Sequence, residues 1–418
     1  MSKPFAITPQ QCIQERVFQA VAASLEQVQY LINLCENRHL FTLGLFAGAM
    51  RGQVNLLPPA RSSRVLEDLR ARYPSSQVIT DAWISERMDE FPISSAPSLH
   101  AKIPAPDPEA LQLIAFTSGS TGQPTAWKRS WAVMKLCASL ALEALQLQGR
   151  PWAVVATTPP QHMYGLETSI VWPLCSDLSL TDRRPFYPED IRRQVQASSL
   201  PVVLVSTPLH LKACLDSAGQ WRNLAVIISS TAPLDPALAM ALEEASGVPV
   251  LELYGSTETL SFAWRRPARQ ELWYSYRGVE LACRENETLV TAPWLSQPVV
   301  LADRFEPAGE NKYKALGRHS DLIKIAGKRH SLAELNRLLT SIDGIDDGCC
   351  FITRHGRVAA LVVSRLDKSD IRRHLKPHLD EVFLPRPIHH VSHIPRNDSG
   401  KIIQAELQRL LASFVRKD

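Results

Sequence analysis

Phe116-Thr117-Ser118-Gly119-Ser120-Thr121-Gly122-Gln123-Pro124 follows the apolar segment Leu111-Gln112-Leu113-Ile114-Ala115. The order is that of a strand running into a loop of glycines and small hydroxylated residues. Glycines permit positive φ and close approach, so successive backbone N–H groups can converge on anionic oxygens, and Thr117, Ser118, Ser120 and Thr121 add hydroxyl donors. The Gly-x-x-x-x-Gly-Lys-Ser/Thr pattern of P-loop nucleotidases is absent. Taken alone, the run fits either a phosphate loop or a solvent-exposed turn, and the rest of the chain decides between them.

With 418 residues the chain has room for two or three domains and a large core. It is 45% hydrophobic and 21% charged with a formal net charge of +4, and no Lys/Arg block is interleaved with aromatics, so a dedicated nucleic-acid binder is not expected. Pairs such as Arg183-Arg184 and Arg192-Arg193 read as solvated, or as a landing surface for an acidic partner. The eight cysteines lack Cys-x-x-Cys spacing and sit mostly among apolar neighbours, which predicts free thiols, no zinc site and a reducing cytoplasm. No apolar run approaches the ~20 residues of a membrane span, so stable membrane insertion is not expected.

Residues 15 to 36 carry Val17, Val21, Leu25, Val28 and Leu31 near helical spacing. Helical patterns follow at 67–73 and 130–147, with a strand at 77–80 and a Pro/Ser-rich linker at 92–108. Beyond the loop, β-rich runs at 152–157, 202–206, 225–229 and 248–253 alternate with helical ones. This predicts an α/β fold with a largely parallel sheet covered on both faces and ligands at the strands' carboxyl ends. Those ends are Pro159-Pro160-Gln161-His162, Thr207-Pro208, Thr231-Ala232-Pro233 and Tyr254-Gly255-Ser256-Thr257-Glu258. Residues 260–316 read as a small antiparallel unit. A compact α+β module follows, with a capping box at Ser331–Glu334, strands at 350–353 and 358–363, a helix near 371–378 and a last helix carrying Leu407, Leu410, Leu411 and Phe414.

Five ordered stretches carry a resemblance: Thr117–Pro124, Pro160–Leu166, Tyr254–Glu258, Asp303 with Gly317–Gly327, and Arg396-Asn397-Asp398-Ser399-Gly400-Lys401. Together the chain resembles the adenylate-forming superfamily of acyl- and aryl-CoA synthetases, peptide-synthetase adenylation domains and firefly luciferase. The intervals agree too, with Arg318 fifteen residues after Asp303 and Lys324 six residues after Arg318. The resemblance implies an adenylation domain over 1–318, shortened at its start, and a small mobile domain over 319–418. It also implies a two-step reaction: a carboxylate attacks the α-phosphate of ATP, and a thiol then displaces AMP from the acyl-adenylate.

Attack of one anion on another needs fixed positive charge and oriented donors. By resemblance, Thr117, Ser118, Gly119, Ser120, Thr121 and Gly122 wrap the β- and γ-phosphates. Tyr254 and Gly255 belong to the nucleotide-binding stretch in which Thr257 contacts the α-phosphate and Glu258 holds Mg²⁺. Asp303 accepts from the ribose hydroxyls with help from Arg318, and Thr231, Ala232 and Pro233 resemble the segment on which adenine stacks. Lys401 bridges carboxylate and phosphates, where a compact charge suits two converging anions. Lys324 marks the face presented in the thioester step, Ser320 is the hinge, and His162 lines the acid pocket with Tyr164 and Ser230. The plainer readings are a core histidine at His162, a cap or surface carboxylate at Glu258, an ion pair of Asp303 with Arg318, and an exposed lysine at Lys401.

The chain departs from the family where Pro-Lys-Gly normally follows the loop. Here Pro124 precedes Thr125-Ala126-Trp127-Lys128, so the lysine is missing or displaced to Lys128. The short chain, this loop and the run Gly317–Arg329 resemble the small AMP-ligases of aryl-polyene and xanthomonadin-type clusters. That implies loading of a hydroxybenzoate-like aromatic acid, the favoured substrate, or of an acyl chain onto an acyl carrier protein, with free CoA as the alternative acceptor. A non-catalytic relative that binds nucleotide or carrier protein is the reading from another class.

Overall fold

The computed structural model describes residues 6–7, 15–58, 61–89, 112–117, 125–217, 219–284, 287–318, 322–325, 328–353, 356–396 and 402–415. The chain divides into two compact units, one of residues 1–280 with 291–299, the other of 281–290 with 300–418. Among the described residues no helix is long and apolar enough to cross a membrane.

The first unit is built on two sheets. At the centre of the larger one, Ser179–Thr181, Ala153–Ala156, Val202–Ser206, Leu224–Ser229 and Val250–Ser256 lie side by side in parallel. Three of these strands are buried at every position, the pattern expected when both faces are covered. Side chains alternate between faces. Ala153, Val155, Val202, Leu204, Ile227 and Val250 turn toward helices Pro188–Ala197, Pro208–Asp216 and Pro236–Ser246, which supply Ile191, Val195, Leu211, Cys214, Ala239 and Leu242 to the same core. Each of these helices opens on proline at its first turn, where a missing N–H costs nothing. The last also has Asp235 accepting from the Ala237 N–H at 2.7 Å.

The smaller sheet runs Ser76–Ile79, Tyr30–Asn33, Val54–Leu57, Gln112–Thr117 and Thr125–Ser130, parallel except for its final strand. Helix Arg38–Met50 packs against strands of both sheets and is buried over most of its length. Its first residue, Arg38, is fully buried. The guanidinium donates to Ala156 O and Thr158 O at 2.8 Å, to Arg183 O at 2.7 Å and to Ser169 Oγ at 3.0 Å. Burial pushes its pKa down, the Arg184 cation adds to that, and the Asp182 carboxylate opposes it, while the surrounding oxygens take up the guanidinium's donors.

Expectations from sequence fail at two places here. The periodic run from 15 is a helix only over Glu15–Ser24, and Leu31 belongs to a strand, because short apolar runs satisfy both periods. The segment from 260 begins not as a separate unit but as two antiparallel strands, Leu260–Arg265 and Trp273–Ser275, added to the larger sheet. The linker over 92–108 lies outside the described residues.

A helical stretch left unassigned in sequence, Met163–Leu166, Glu167–Val171 and Trp172–Leu174, is buried almost throughout, so no polar face betrays its period. Its middle turn is a π-helix. Glu167 there is 2% exposed. Its carboxylate accepts from the Ser261 N–H at 3.1 Å, from the Ser261 hydroxyl and from Cys137 Sγ at 3.7 Å, while Tyr276 donates to Ser261 Oγ at 3.1 Å. Burial raises the carboxyl pKa against the opposing pull of these donors.

In the second unit, Glu280–Cys283, Thr288–Thr291 and Val299–Leu301 form a small sheet, and Asp303–Gly309 pairs with Lys312–Arg318 as a hairpin. The module after it contains the hairpin Leu322–Ile325 with Lys328–Ser331, helix Leu332–Thr340, and a sheet of Ile345–Ile352, Val358–Ser364 and Ile388–His390. Helices Lys368–Leu375 and Gln404–Val415 complete it. Leu335, Leu339, Val358, Val362, Ile371 and Phe383 form one core. Leu407 packs with Cys349, Leu361 and Ile394 in another, with Phe414 against it.

Two stability predictions follow from the buried charges. Arg38→Met strands the acceptors of Ala156, Thr158, Arg183 and Ser169 inside the fold and is expected to cost about 3–5 kcal/mol, read as a lowered urea midpoint; an unchanged midpoint refutes it. For Glu167, a raised native pKa means folding favours the protonated carboxyl. Its stabilising contribution is complete below the ordinary value of about 4.3 and is lost as pH rises through the native one. The urea midpoint of Glu167→Gln should therefore gain on wild type as pH rises above about 4.3, and a pH-independent difference between the two refutes this.

Candidate functional site

The central parallel strands end together, and their carboxyl ends carry the residues singled out in sequence. After Ala153–Ala156 comes Thr157–His162, after Leu224–Ser229 comes Ser230–Pro233, and Val250–Ser256 runs into Thr257 and Glu258. Ligands of open parallel sheets bind at such ends because loops there diverge and leave a crevice.

Side-chain bonds fix these loops to one another. His162 caps helix Met163–Leu166, its Nδ1 accepting from the Tyr164 N–H at 3.3 Å. The Tyr164 hydroxyl donates to Ile228 O at 2.9 Å and Ser206 O at 3.2 Å. Tyr164 is therefore a brace between two strand ends as well as a candidate wall. Gly165 is required, since a Cβ there would lie 2.1 Å from Pro159 O. Gln161 Nε2 donates to Cys35 O at 2.6 Å and Asn33 O at 3.3 Å, tying this loop to the smaller sheet.

Ser230 Oγ donates to Leu253 O at 3.0 Å, and the Leu234 N–H donates to Glu252 Oε1 at 2.8 Å. These two bonds pin the Thr231-Ala232-Pro233 segment to the strand that carries Tyr254. Thr231 has φ +82°, a conformation costly for a β-branched residue. Glu252 is buried and its carboxyl pKa is raised by burial, opposed by Arg265, whose Nε lies 2.6 Å from Oε2.

Gly255 meets a second steric demand. A Cβ would sit 2.3 Å from Leu260 O, where the ladder between Val250–Ser256 and Leu260–Arg265 shifts register. The Tyr254 ring packs edge-on to Phe262 and Trp273 at 5.2 and 5.1 Å. Thr257 and Glu258 are half-buried.

Of the Ser/Thr/Gly loop, Thr117 ends strand Gln112–Thr117, in register with Thr125 on the return strand. Ser118, Gly119, Ser120, Thr121 and Gly122 lie outside the described residues. On the return strand Lys128 is exposed, whereas Arg129, pointing to the other face, donates from Nη2 to Thr257 O at 2.7 Å and Glu258 O at 2.6 Å. The sequence offers Lys128 as the displaced loop cation, and the structure brings Arg129 to the turn instead. The signal available was strand alternation, which sends neighbouring residues to opposite faces.

In the second unit Asp303 and Arg318 are direct register partners across the hairpin. Lys324 lies on strand Leu322–Ile325 opposite Arg329. Ser320 and Lys401 lie outside the described residues. On either side of residues 397–401, Arg396 and Ile402 form a bridge, and the Arg396 guanidinium sits on Asp347 at 2.9 and 2.7 Å.

No group of three or more His, Cys, Asp or Glu side chains suited to a metal occurs among the described residues. A Mg²⁺ ion keeps several waters and is held by one or two carboxylates together with substrate phosphates, and the single half-buried carboxylate of Glu258 fits that donor set.

The sequence pattern of the AMP-binding enzyme family matches residues 18–291. A 4-coumarate–CoA ligase of Halorhodospira halophila is 26% identical over 304 residues, covering 69% of this chain and 74% of its own. A 3,4-dihydroxybenzoate–[aryl-carrier protein] ligase of Bacillus anthracis is 22% identical over 318 residues, covering 72% and 74%. Among solved structures, o-succinylbenzoate CoA synthetase (MenE) of Bacillus subtilis, in complex with its acyl-adenylate, has a TM-score of 0.76 at 17% identity over 94% of this chain and 92% of its own. With the fold matched over nearly its full length and the family pattern over most of it, the chain belongs to the AMP-binding enzyme family and is an AMP-forming acid–thiol ligase of the adenylate-forming superfamily.

Proposed function

We propose that the chain joins an aromatic carboxylic acid, a hydroxybenzoate or close relative, to AMP and passes the acyl group to the phosphopantetheine thiol of an acyl carrier protein. The observation that carries this reading is the convergence of His162, Ser230–Pro233 and Tyr254–Glu258 at one end of the parallel sheet. The relative named for 3,4-dihydroxybenzoate and an aryl-carrier protein supports the acid class and the acceptor. The relative named for 4-coumarate and CoA supports the same acid class and favours free CoA as a second reading of the acceptor.

In the first step a carboxylate oxygen attacks the α-phosphorus of ATP, the bond to the β-phosphate oxygen breaks, and pyrophosphate leaves. In the second a thiol attacks the acyl carbon, AMP leaves, and the thiol proton passes to solvent. Thr117 to Gly122 hold the β- and γ-phosphates and Thr257 the α-phosphate. Thr231, Ala232 and Pro233 form the adenine platform, and Tyr254 and Gly255 complete the nucleotide wall. Glu258 would hold Mg²⁺, which offsets phosphate charge when bound. Asp303 accepts from the ribose hydroxyls with Arg318 beside it, a role their register pairing suits.

His162, Tyr164 and Ser230 border the acid. Lys401 neutralises the converging anions during adenylation. Residues 319–418 act as a mobile module turning at Ser320 to present the Lys324 face for thioester formation. The module's own apolar core is what such an independent body requires.

Pyrophosphate release with ATP, Mg²⁺ and a panel of benzoates, cinnamates and fatty acids is expected to select a benzoate or cinnamate; selection of a fatty acid refutes the acid class. Holo-carrier protein is then expected to become acylated in preference to CoA, and thioester formation on CoA alone transfers the assignment to the second reading. Lys401→Ala is expected to lower acid-dependent ATP–pyrophosphate exchange by on the order of 10²-fold, and undiminished exchange removes Lys401 from its role.

A further inference from the structure

Three consecutive carbonyls in the turn after strand Val250–Ser256 are held by side-chain N–H groups from elsewhere in the first unit. Arg129 Nη2 takes Thr257 O at 2.7 Å and Glu258 O at 2.6 Å, and Trp294 Nε1 takes Thr259 O at 2.8 Å. Arg129 Nη1 closes the clamp on its own strand at Lys128 O, 2.8 Å away. The turn is reinforced internally, the Ser256 N–H donating to Thr259 Oγ1 at 3.1 Å.

A trans peptide points its C=O and N–H in opposite directions. Turning the carbonyls of Thr257 and Glu258 toward Arg129 therefore turns the N–H groups of Glu258 and Thr259 away from it. The guanidinium fixes two peptide planes at once because its donors have a rigid planar fork, which a lysine ammonium lacks. Burial lowers the Arg129 pKa and the Glu258 carboxylate raises it, so the cation and that carboxylate sense each other across the turn.

Arg129 also sits on the strand returning from the Ser/Thr/Gly loop, in register with Leu113. One guanidinium thus joins the hairpin that frames the loop to the turn that carries Thr257 and Glu258. We propose that Arg129 is a positioning residue for the nucleotide, setting the Thr257–Glu258 turn in the shape that receives the α-phosphate and locking it to the phosphate-loop hairpin. The inference rests on the reading of Thr257 as the α-phosphate contact.

The test compares Arg129→Met, which keeps length and loses the donors, with Arg129→Lys, which keeps the charge without the fork. AMP affinity is measured by calorimetry without metal, the KM for the acid by pyrophosphate release, and hydrogen exchange over residues 254–261 in nucleotide-free protein. Arg129→Met should weaken AMP about 10- to 100-fold, converting the ~1.5–3 kcal/mol of a charge-assisted hydrogen bond. The acid KM should stay within about 2-fold, exchange over 254–261 should quicken while the rest of the chain keeps its rates, and Arg129→Lys should recover part of the AMP affinity.

Unchanged AMP affinity in Arg129→Met overturns the inference. So does a parallel loss of melting temperature, AMP affinity and acid KM with no recovery in Arg129→Lys, since that is the signature of general destabilisation. Thr257→Ala separates the two layers of the argument. If it binds AMP as tightly as wild type while Arg129→Met still weakens binding, the α-phosphate assignment falls and the clamp stands.

Discussion

A buried cation, Arg38, organises the larger unit through hydrogen bonds to main-chain carbonyls and one hydroxyl, with the Asp182 carboxylate stabilising its charge. Arg38 is fully buried and spends its guanidinium on the carbonyls of Ala156, Thr158 and Arg183 and the hydroxyl of Ser169. Those groups lie at the end of one central strand, in the segment after another and on the π-helical turn, while Arg38 itself opens the helix that packs on both sheets. Taking a charge out of water is costly, and a set of backbone oxygens in fixed geometry is the compensation available. The bonds are satisfied only when all four elements are in place. This makes the arrangement of the strand ends cooperative with the seating of helix Arg38–Met50.

The same logic recurs closer to the chemistry. Tyr164 braces two strand ends through Ser206 and Ile228, Glu252 and Ser230 hold the segment containing Thr231, and Arg129 and Trp294 hold the turn after Ser256. Each of these three described loops is thus fixed by a side chain reaching a main-chain group of another element. A loop held this way keeps its shape before any ligand arrives, and preorganised donors cost no reorganisation when charge develops.

Much of this was legible in the sequence because it rests on local signals. The β-rich runs at 202–206 and 225–229 fall where strands Val202–Ser206 and Leu224–Ser229 lie, since continuous apolar runs between turn residues describe strands covered on both faces. Asp303 and Arg318, singled out by the family resemblance, are opposite one another because the hairpin between them fixes the register. What could not be read depends on contacts remote in sequence. Glu167 lies on a buried helix with no polar face, and its partner Ser261 is 94 residues away. Arg129 meets Thr257 from 128 residues away, and only the strand's facing shows that it, rather than Lys128, turns to the site.

Backbone strain marks the same region. Thr231 at φ +82° and Leu260 at φ +59° are branched or bulky residues in a left-handed conformation, each costing about 1–3 kcal/mol. Such residues persist only where the surroundings over-determine them. Thr231 is flanked by the Ser230 and Leu234 bonds onto one strand, and Leu260 begins the strand whose carbonyl passes too close to Gly255 for any side chain there. The two strained positions therefore bracket strand Val250–Ser256 and the turn after it, which carries Tyr254, Thr257 and Glu258. The fold thus keeps an unfavourable backbone on both sides of the strand that leads into the turn held by Arg129.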